Sequence, residues 1–276
     1  LQHELLHGHP TRSPHLNALL GFAPLAVWFP YRIYRDSHLL HHDDTHLTKP
    51  GRDPESYFVH SHVWERAGWA MRALLTWRNT FAGRLLVGPA FAIAATGVDA
   101  LRKIKLGDWR DVPAWLAHLI ALAALTAWLR YVCSIPAWVF IVGVGYGSMS
   151  LGSIRSFREH RAAHDCEHRT VVNEAAALWR LLYLNNNFHL VHHDLPHVPW
   201  FALKAVYEAS RAQYIERSGG FLVAGYGEWL TRYAFTPAEN PVHDGSRRFE
   251  PASTTNAAYV SNALFVDASC EEFKGR

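Results

Sequence analysis

Histidine recurs in this chain at the intervals a helix uses to hold a metal. His38, His41 and His42 stand at i, i+3 and i+4, and the same spacing returns at His189, His192 and His193. A two-member version, His3 and His7, opens the sequence. Residues three and four apart share a helix face, so each set is expected to aim its imidazoles at one point. Eight imidazoles in three sets are more than one tetrahedral ion takes. The fold must therefore carry three segments, far apart in sequence, to a common pocket.

The apolar residues between these sets are gathered into long uncharged runs, and that segregation says more than the average. The mean hydropathy is −0.08, yet 276 residues with 49% hydrophobic and 13% aromatic content rule out general disorder. A formal charge of +3, with basic residues that flank apolar runs and form no long block, excludes a nucleic-acid partner and suits a membrane edge. Cys133, Cys166 and Cys270 make no Cys-x-x-Cys pair, so nitrogen and not thiolate is left to hold a metal. Because the sequence starts at Leu1 with a histidine set beginning two residues later, helices preceding residue 1 are expected to be missing.

Helical spacing over Gln2 to His9 is broken by Gly8, Pro10 and Pro14, with His3 and His7 on one face and His9 off it. From His15 to Tyr31 the chain is uncharged, with Gly21, Pro24 and Pro30 inside it. One crossing here would put His7 and His38 on opposite sides of a bilayer, and the run is too short for two. A re-entrant or interfacial hairpin is expected, returned to the headgroup level by Arg32 and Arg35. Around the second set the chain reads as a polar loop, where Asp43 and Asp44 read as solvated turn residues, with orientation of the imidazole rings as the alternative, His46, at i+4 from His42, is a further candidate to join the set, and His60 and His62 read as loop residues.

Trp69, Arg72, Trp77, Arg78 and Arg84 have the composition of an interfacial helix. The run Leu85 to Val98, with Gly88-Pro89, is expected to dip and not span, and Asp99 to Asp111 to form a basic loop. Val112 to Leu129 and Pro136 to Ile154 read as two spans with basic outer flanks, a membrane hairpin with both feet in the cytoplasm. A helical hairpin buried in a soluble bundle is the alternative. His118, inside the first span, reads as a packing residue. Two crossings return the third histidine set to the side of the second. On the way lie Glu159, His160, His164 and His168 at helical intervals, of which His160, nearest the membrane exit, is the favoured further ligand. The triple asparagine before His189 reads as a helix entry and Pro196 and Pro199 as its exit. Residues 201–235 read as amphipathic helices broken at Gly219-Gly220, and 236–276 as a polar, disordered tail.

Three histidine sets in this order, with a membrane hairpin between the second and third, resemble the three histidine boxes of the membrane fatty acid desaturase superfamily, over roughly residues 1 to 205. The resemblance implies an all-α, integral membrane helical bundle over 1–235 with a cytosolic histidine-rich cap. It also implies two iron ions (Fe2+/Fe3+) held by His3, His7, His38, His41, His42, His160, His189, His192 and His193. Dioxygen would be the oxidant, a ferredoxin or cytochrome b5-type protein the electron donor, and a lipid acyl chain the substrate. The expected outcome is desaturation, or hydroxylation or ketone formation as elsewhere in the superfamily, with Trp28, Phe29 and Trp200 lining the acyl slot. A membrane zinc hydrolase using an Asp or Glu base and a non-catalytic histidine-rich metal carrier are the competing readings.

Overall fold

The computed structural model describes residues 1–42 and 44–243. Its N-terminal part is three helices in mutual contact: α1 (Gln2–Leu6), α2 (Pro14–Gly21) and α3 (Tyr31–His41). Ser13 caps α2 through Leu16 N, and Pro14 occupies the first turn, where no N–H is missed. At 8 residues, or ~12 Å of rise, α2 cannot cross a bilayer. The chain bends back over 22–30, and the rings of His7 and His38 come to 5.3 Å. The two ends of 15–31 therefore lie close together, as the expected hairpin requires.

After a 3-10 turn, Asp44–His46, the chain forms α4 (Ser61–Arg66) and α5 (Trp69–Arg78), whose Trp69 is exposed. The next element differs from expectation. The chain does not break at Gly88-Pro89, and 99–105 are not loop, because α6 runs unbroken over Phe81–Lys105. Thr80 caps it, Pro89 costs only one ladder bond, and its last turns suit a helix end. There Lys103 pairs with Asp99 at 3.0 Å, and Arg102 and Lys105 complement the dipole.

Helix α7 (Val112–Tyr131) and a second leg, a π-helical stretch Val139–Tyr146 running into α8 (Gly147–Arg155), form the expected hairpin. Val27 touches both legs. Its carbonyl accepts from His118 Nε2 at 3.0 Å, and a Cβ on Gly145 would come within 2.8 Å of its side chain. His118 is thus a satisfied packing residue, as read from the sequence. Both α6 and α7 are long and apolar enough to cross a membrane. Only 6% of the apolar window of α7 is buried, and Leu116, Leu119, Ile120 and Trp128 face outward. An apolar helix left uncovered in this way does not serve as the core of a soluble bundle.

Beyond α8 the chain does not continue as the helix that the spacing of His160, His164 and His168 suggested. Arg158 adopts φ +56°, and the chain folds back so that His160 bridges to Thr170. His164 is exposed and, with His168, stays away from the other sets. Strand β1 (Val172–Asn173) pairs in parallel with β2 (Leu222–Val223), a small exception to an otherwise helical fold. Around it stand α9 (Ala177–Leu182), α10 (His189–Asp194), α11 (Trp200–Ala209), α12 (Arg211–Arg217) and α13 (Tyr226–Tyr233). The break after α12 falls at Gly219 and Gly220, with φ +61° and +70°.

Adjacent side chains on an extended segment point to opposite faces. Val171 enters one core, with Phe81, Phe157, Tyr226 and Trp229, and Val172 the other, with Phe188, Leu190, Val191 and Tyr207. Each such burial contributes about 1.5–3 kcal/mol. Leu190 and Val191 fix α10 from behind and leave its histidines facing the other way. Residues 236–243, placed with the tail by the sequence reading, pack on this body: Ala238 N donates to Asn79 O at 2.8 Å and Val59 N to Pro241 O at 2.9 Å. Residues 244–276 of that expected tail, together with Asp43, lie outside the described residues.

Candidate metal centre

The histidines of each three-histidine box do not converge on a single point; they divide between two. One group is His3, His7, His38 and His192, the other His41, His160, His189 and His193, and within each group the candidate ligand atoms all lie within 4.8 Å of one another. In α3, residue i (His38) faces the first group and i+3 (His41) the second. In α10 the assignment is reversed, because i and i+4 (His189, His193) face the second group and i+3 (His192) the first. The two three-histidine segments are therefore related by an approximate exchange, each straddling both groups. Box one completes the first group, and His160 takes the corresponding place in the second. His42 stands between: its Nε2 is 3.2 Å from His38 Nε2 and its ring stacks on His193 at 4.3 Å. All nine expected residues are in this assembly.

The ring orientations are fixed from outside. His38 Nδ1 donates to Glu55 Oε1 at 2.7 Å and His41 Nδ1 to Asp53 Oδ1 at 2.9 Å. His189 Nδ1 donates to Asn186 Oδ1 at 3.2 Å, and His160 Nδ1 lies 3.2 Å from Thr170 Oγ1. A proton held on Nδ1 by an oxygen leaves a lone pair on Nε2. Those lone pairs face each other: His41 Nε2 and His189 Nε2 are each 3.1 Å from His160 Nε2. Opposed lone pairs repel unless a proton, which His41 can carry, or a metal cation lies between them. With metal–nitrogen bonds of about 2.0–2.1 Å, ligands at right angles sit ~3 Å apart. Nε2 of His3, His7 and His192 are buried with no hydrogen-bond partner, the condition of ligands turned toward an ion. The chain's own atoms therefore fit a pair of transition ions held by nitrogen.

Burial keeps most of these rings neutral. It holds His7 down to about 2, helped by the neighbouring charges of His38 and His42, and His42 to about 2, helped by His193 and His38. Burial, together with neighbouring imidazoles, likewise lowers His3, His160, His189, His192 and His193. His41 goes the other way. Burial opposes its charge, but Glu55, Asp53 and Glu159 outweigh it and bring it up to about 9. Burial raises Glu159 to about 7 against the pull of Arg155. Acidic groups thus collect beside the second group, the charge that neutral imidazoles cannot supply to a divalent pair.

Asp43 and the side chain of Asp44 lie outside the described residues. Asp53 and Glu55, which the loop after box two carries back, orient His41 and His38. Asp53 shapes that loop itself, accepting from Thr48 N at 2.8 Å and Glu55 N at 2.9 Å. The two acids around Pro54 were the available signal. The triple asparagine does not cap α10, whose N-cap is Phe188. Instead Asn186 orients His189, Asn187 Nδ2 donates to Asn173 O and Asn185 Nδ2 to Trp200 O. His46 joins neither group, and His60 and His62 stack on each other in the open.

Two cavities reach the histidines. One of about 420 Å³ is lined by Val27, Trp28, Phe29 and Met149 and touches His3. The other, about 470 Å³, touches His41 and His160 and shares Phe29, Tyr34 and Met149 with the first. Trp28 and Phe29 stand where the acyl slot was expected. Trp200 lines neither cavity; its backbone N–H donates to Glu4 Oε2.

The family model described as fatty acid desaturase matches residues 1–263. No curated protein and no solved structure matches the chain.

Proposed function

The chain belongs to the fatty acid desaturase family, and we propose that it carries out oxygen-dependent desaturation of an aliphatic C–H site in a lipid acyl chain at a histidine-bound di-iron centre. The observation that carries this reading is the division of eight imidazoles into two adjacent groups of four with no carboxylate in either. His3, His7, His38 and His192, with His42 as a fifth, would hold one iron; His41, His160, His189 and His193 would hold the other. When bound, the irons supply, with dioxygen and electrons from a ferredoxin or cytochrome b5-type donor, an oxidant able to attack an unactivated methylene.

The protein's own share is placement. Glu55, Asp53 and Asn186 hold His38, His41 and His189 in the tautomer that ligates. Phe29 and Met149, apolar walls common to both cavities, would lay the chain alongside the histidines and exclude water. Hydroxylation or ketone formation is the neighbouring outcome, and the position of the bound chain decides between them.

We place the histidines on the cytoplasmic face. Arg102, Lys103, Lys105 and Arg110 gather at one foot of the α7–α8 hairpin and Arg155, Arg158, Arg161 and Arg169 at the other, whereas Arg130 alone is near its turn. Ala82 N in α6 donates to Ala234 O at 3.0 Å, and five residues beyond its C-terminal end Arg32 Nη1 reaches Arg110 O at 3.4 Å, which supports a reading in which α6 lies along the membrane surface and parity is preserved.

The test is a purified protein assayed for metal content and turnover. Two irons per chain, with product formation that needs both oxygen and reductant, support the reading. One zinc with oxygen-independent hydrolysis, or metal without turnover, refutes it. Mass spectrometry of the lipid product separates alkene from alcohol.

A further inference from the structure

Two buried arginines beside the histidines make no ion pair among the described residues. Their neighbours do: Arg155 Nη1 meets Glu159 Oε1 at 2.7 Å, and Arg158 Nη2 meets Glu239 Oε1 at 3.3 Å. Arg84, 7% exposed, makes no ion pair among the described residues; its guanidinium lies 4.0 Å over the ring of Tyr57 and its Nε is buried without a partner. Arg78, 9% exposed, donates from Nη2 to Tyr57 O and lies 4.8 Å over Phe91, again with Nε unpartnered and no ion pair. Burial, reinforced by the charge of Arg84, draws Arg78 down to about 10. A buried charge is ordinarily paired, because solvation lost must be replaced.

Both guanidiniums line the 470 Å³ cavity that His41 and His160 also line. The rest of that wall is divided. Ile33, Phe91, Ala95 and Met149 make an apolar stretch, and the acids present, Glu55 and Glu159, are already engaged with His38 and Arg155. The cavity is thus cationic at one place, apolar along another, and open to the second histidine group. Its volume suits a small ligand and not a two-chain lipid. A guanidinium fork matches the geometry of an oxyanion.

We propose that this cavity takes a single-chain aliphatic acid, its free carboxylate on Arg78 and Arg84 and its chain along Ile33, Phe91 and Met149 toward His41 and His160. The oxidase reading supplies the reason for the chain to lie there, and on that reading the substrate is a free acid and not an ester. The carboxylate acts as the ruler: its anchorage sets which carbon lies beside the histidines.

Binding of decanoate, methyl decanoate and decyl phosphate to the iron-loaded protein in neutral detergent, followed by calorimetry, tests this without turnover. Decanoate should bind saturably and the methyl ester at least ~10-fold more weakly. Arg84→Gln should raise the decanoate Kd by about 10- to 100-fold, the loss of a charge-assisted hydrogen bond, leave the ester unchanged and keep its iron, and Arg84→Lys should restore part of the affinity. Equal binding of acid and ester by the unaltered protein overturns the proposal even if Arg84→Gln does not fold. So does an unchanged Kd in Arg84→Gln, and tighter binding of decyl phosphate than decanoate overturns the carboxylate. A protein that binds decanoate in this way yet consumes no oxygen refutes the oxidase reading and leaves the site standing; one that oxidises esters and acids alike does the reverse.

Discussion

Asp53→Asn is the smallest change that should separate the two histidine groups. Asp53 accepts three hydrogen bonds, with Oδ1 taking His41 Nδ1 and Glu55 N at 2.9 Å each and Oδ2 taking Thr48 N at 2.8 Å. All three partners are donors. An asparagine must turn its NH2 toward one side or the other, so either Thr48 N–H or the His41 and Glu55 pair meets a donor in place of an acceptor. The site is buried, with Asp53 6% exposed and His41 3% exposed, so water does not relieve the mismatch. Loss of a charged hydrogen bond costs about 1.5–3 kcal/mol, and removal of an outer partner of a metal-bound histidine lowers affinity about 10- to 100-fold.

The loss should fall on one ion. His41 belongs to the second group, and the first keeps its own orienting bond from His38 to Glu55. Timed extraction of iron by a ferrous chelator, with iron per chain measured at each step, should show one fast and one slow iron in Asp53→Asn against two slow irons in the parent. Two irons lost together at the parental rate would refute the role given to Asp53. Two lost together faster would show that the groups are not separable.

His41→Ala and His192→Ala should each abolish full iron loading and turnover, one from each group, whereas His243→Ala should change neither. His243 Nε2 lies 3.1 Å from Thr48 Oγ1, so a loss of ~1 kcal/mol in a thermal melt is expected there. Gly83→Ala should destabilise the fold by about 1–3 kcal/mol or more, because its Cβ would lie 1.9 Å from the carbonyl oxygen of Trp77; a parental melting temperature would refute this close approach. Glu174 is held below the usual carboxylate range by hydrogen bonds from Arg211 and Tyr207. Its contribution is present above an unfolded pKa of about 4.3 and fades as pH falls through the folded value. Glu174→Gln should therefore flatten the acid limb of stability between about pH 5 and 3, by a small amount because the pair is half exposed.

The metal centre was the most legible part of this protein because a helix fixes relative directions locally. Residues i, i+3 and i+4 are neighbours whatever surrounds them, so His38, His41 and His42 declare themselves in any fold. The hairpin over 112–155 was legible for a similar reason, since an uncharged run of that length has few other uses. Spacing failed where the element was not a helix. His164 and His168 have the right intervals, but the turn at Arg158 ends the periodicity and strands them outside.

Continuity across 81–105 was missed because Pro89 and the charges from Asp99 onward resemble an ending. One absent N–H in 25 residues and an i,i+4 ion pair do not end a helix. From composition and periodicity came the helical class and the histidine sets that the fold brings together. Which imidazole joins which group, that Asp53 and Glu55 orient them from a loop, and that Arg78 and Arg84 share their cavity depended on how α3, α10 and α6 pack. Contacts across 100 residues carry no local periodicity, so only tertiary structure could settle them.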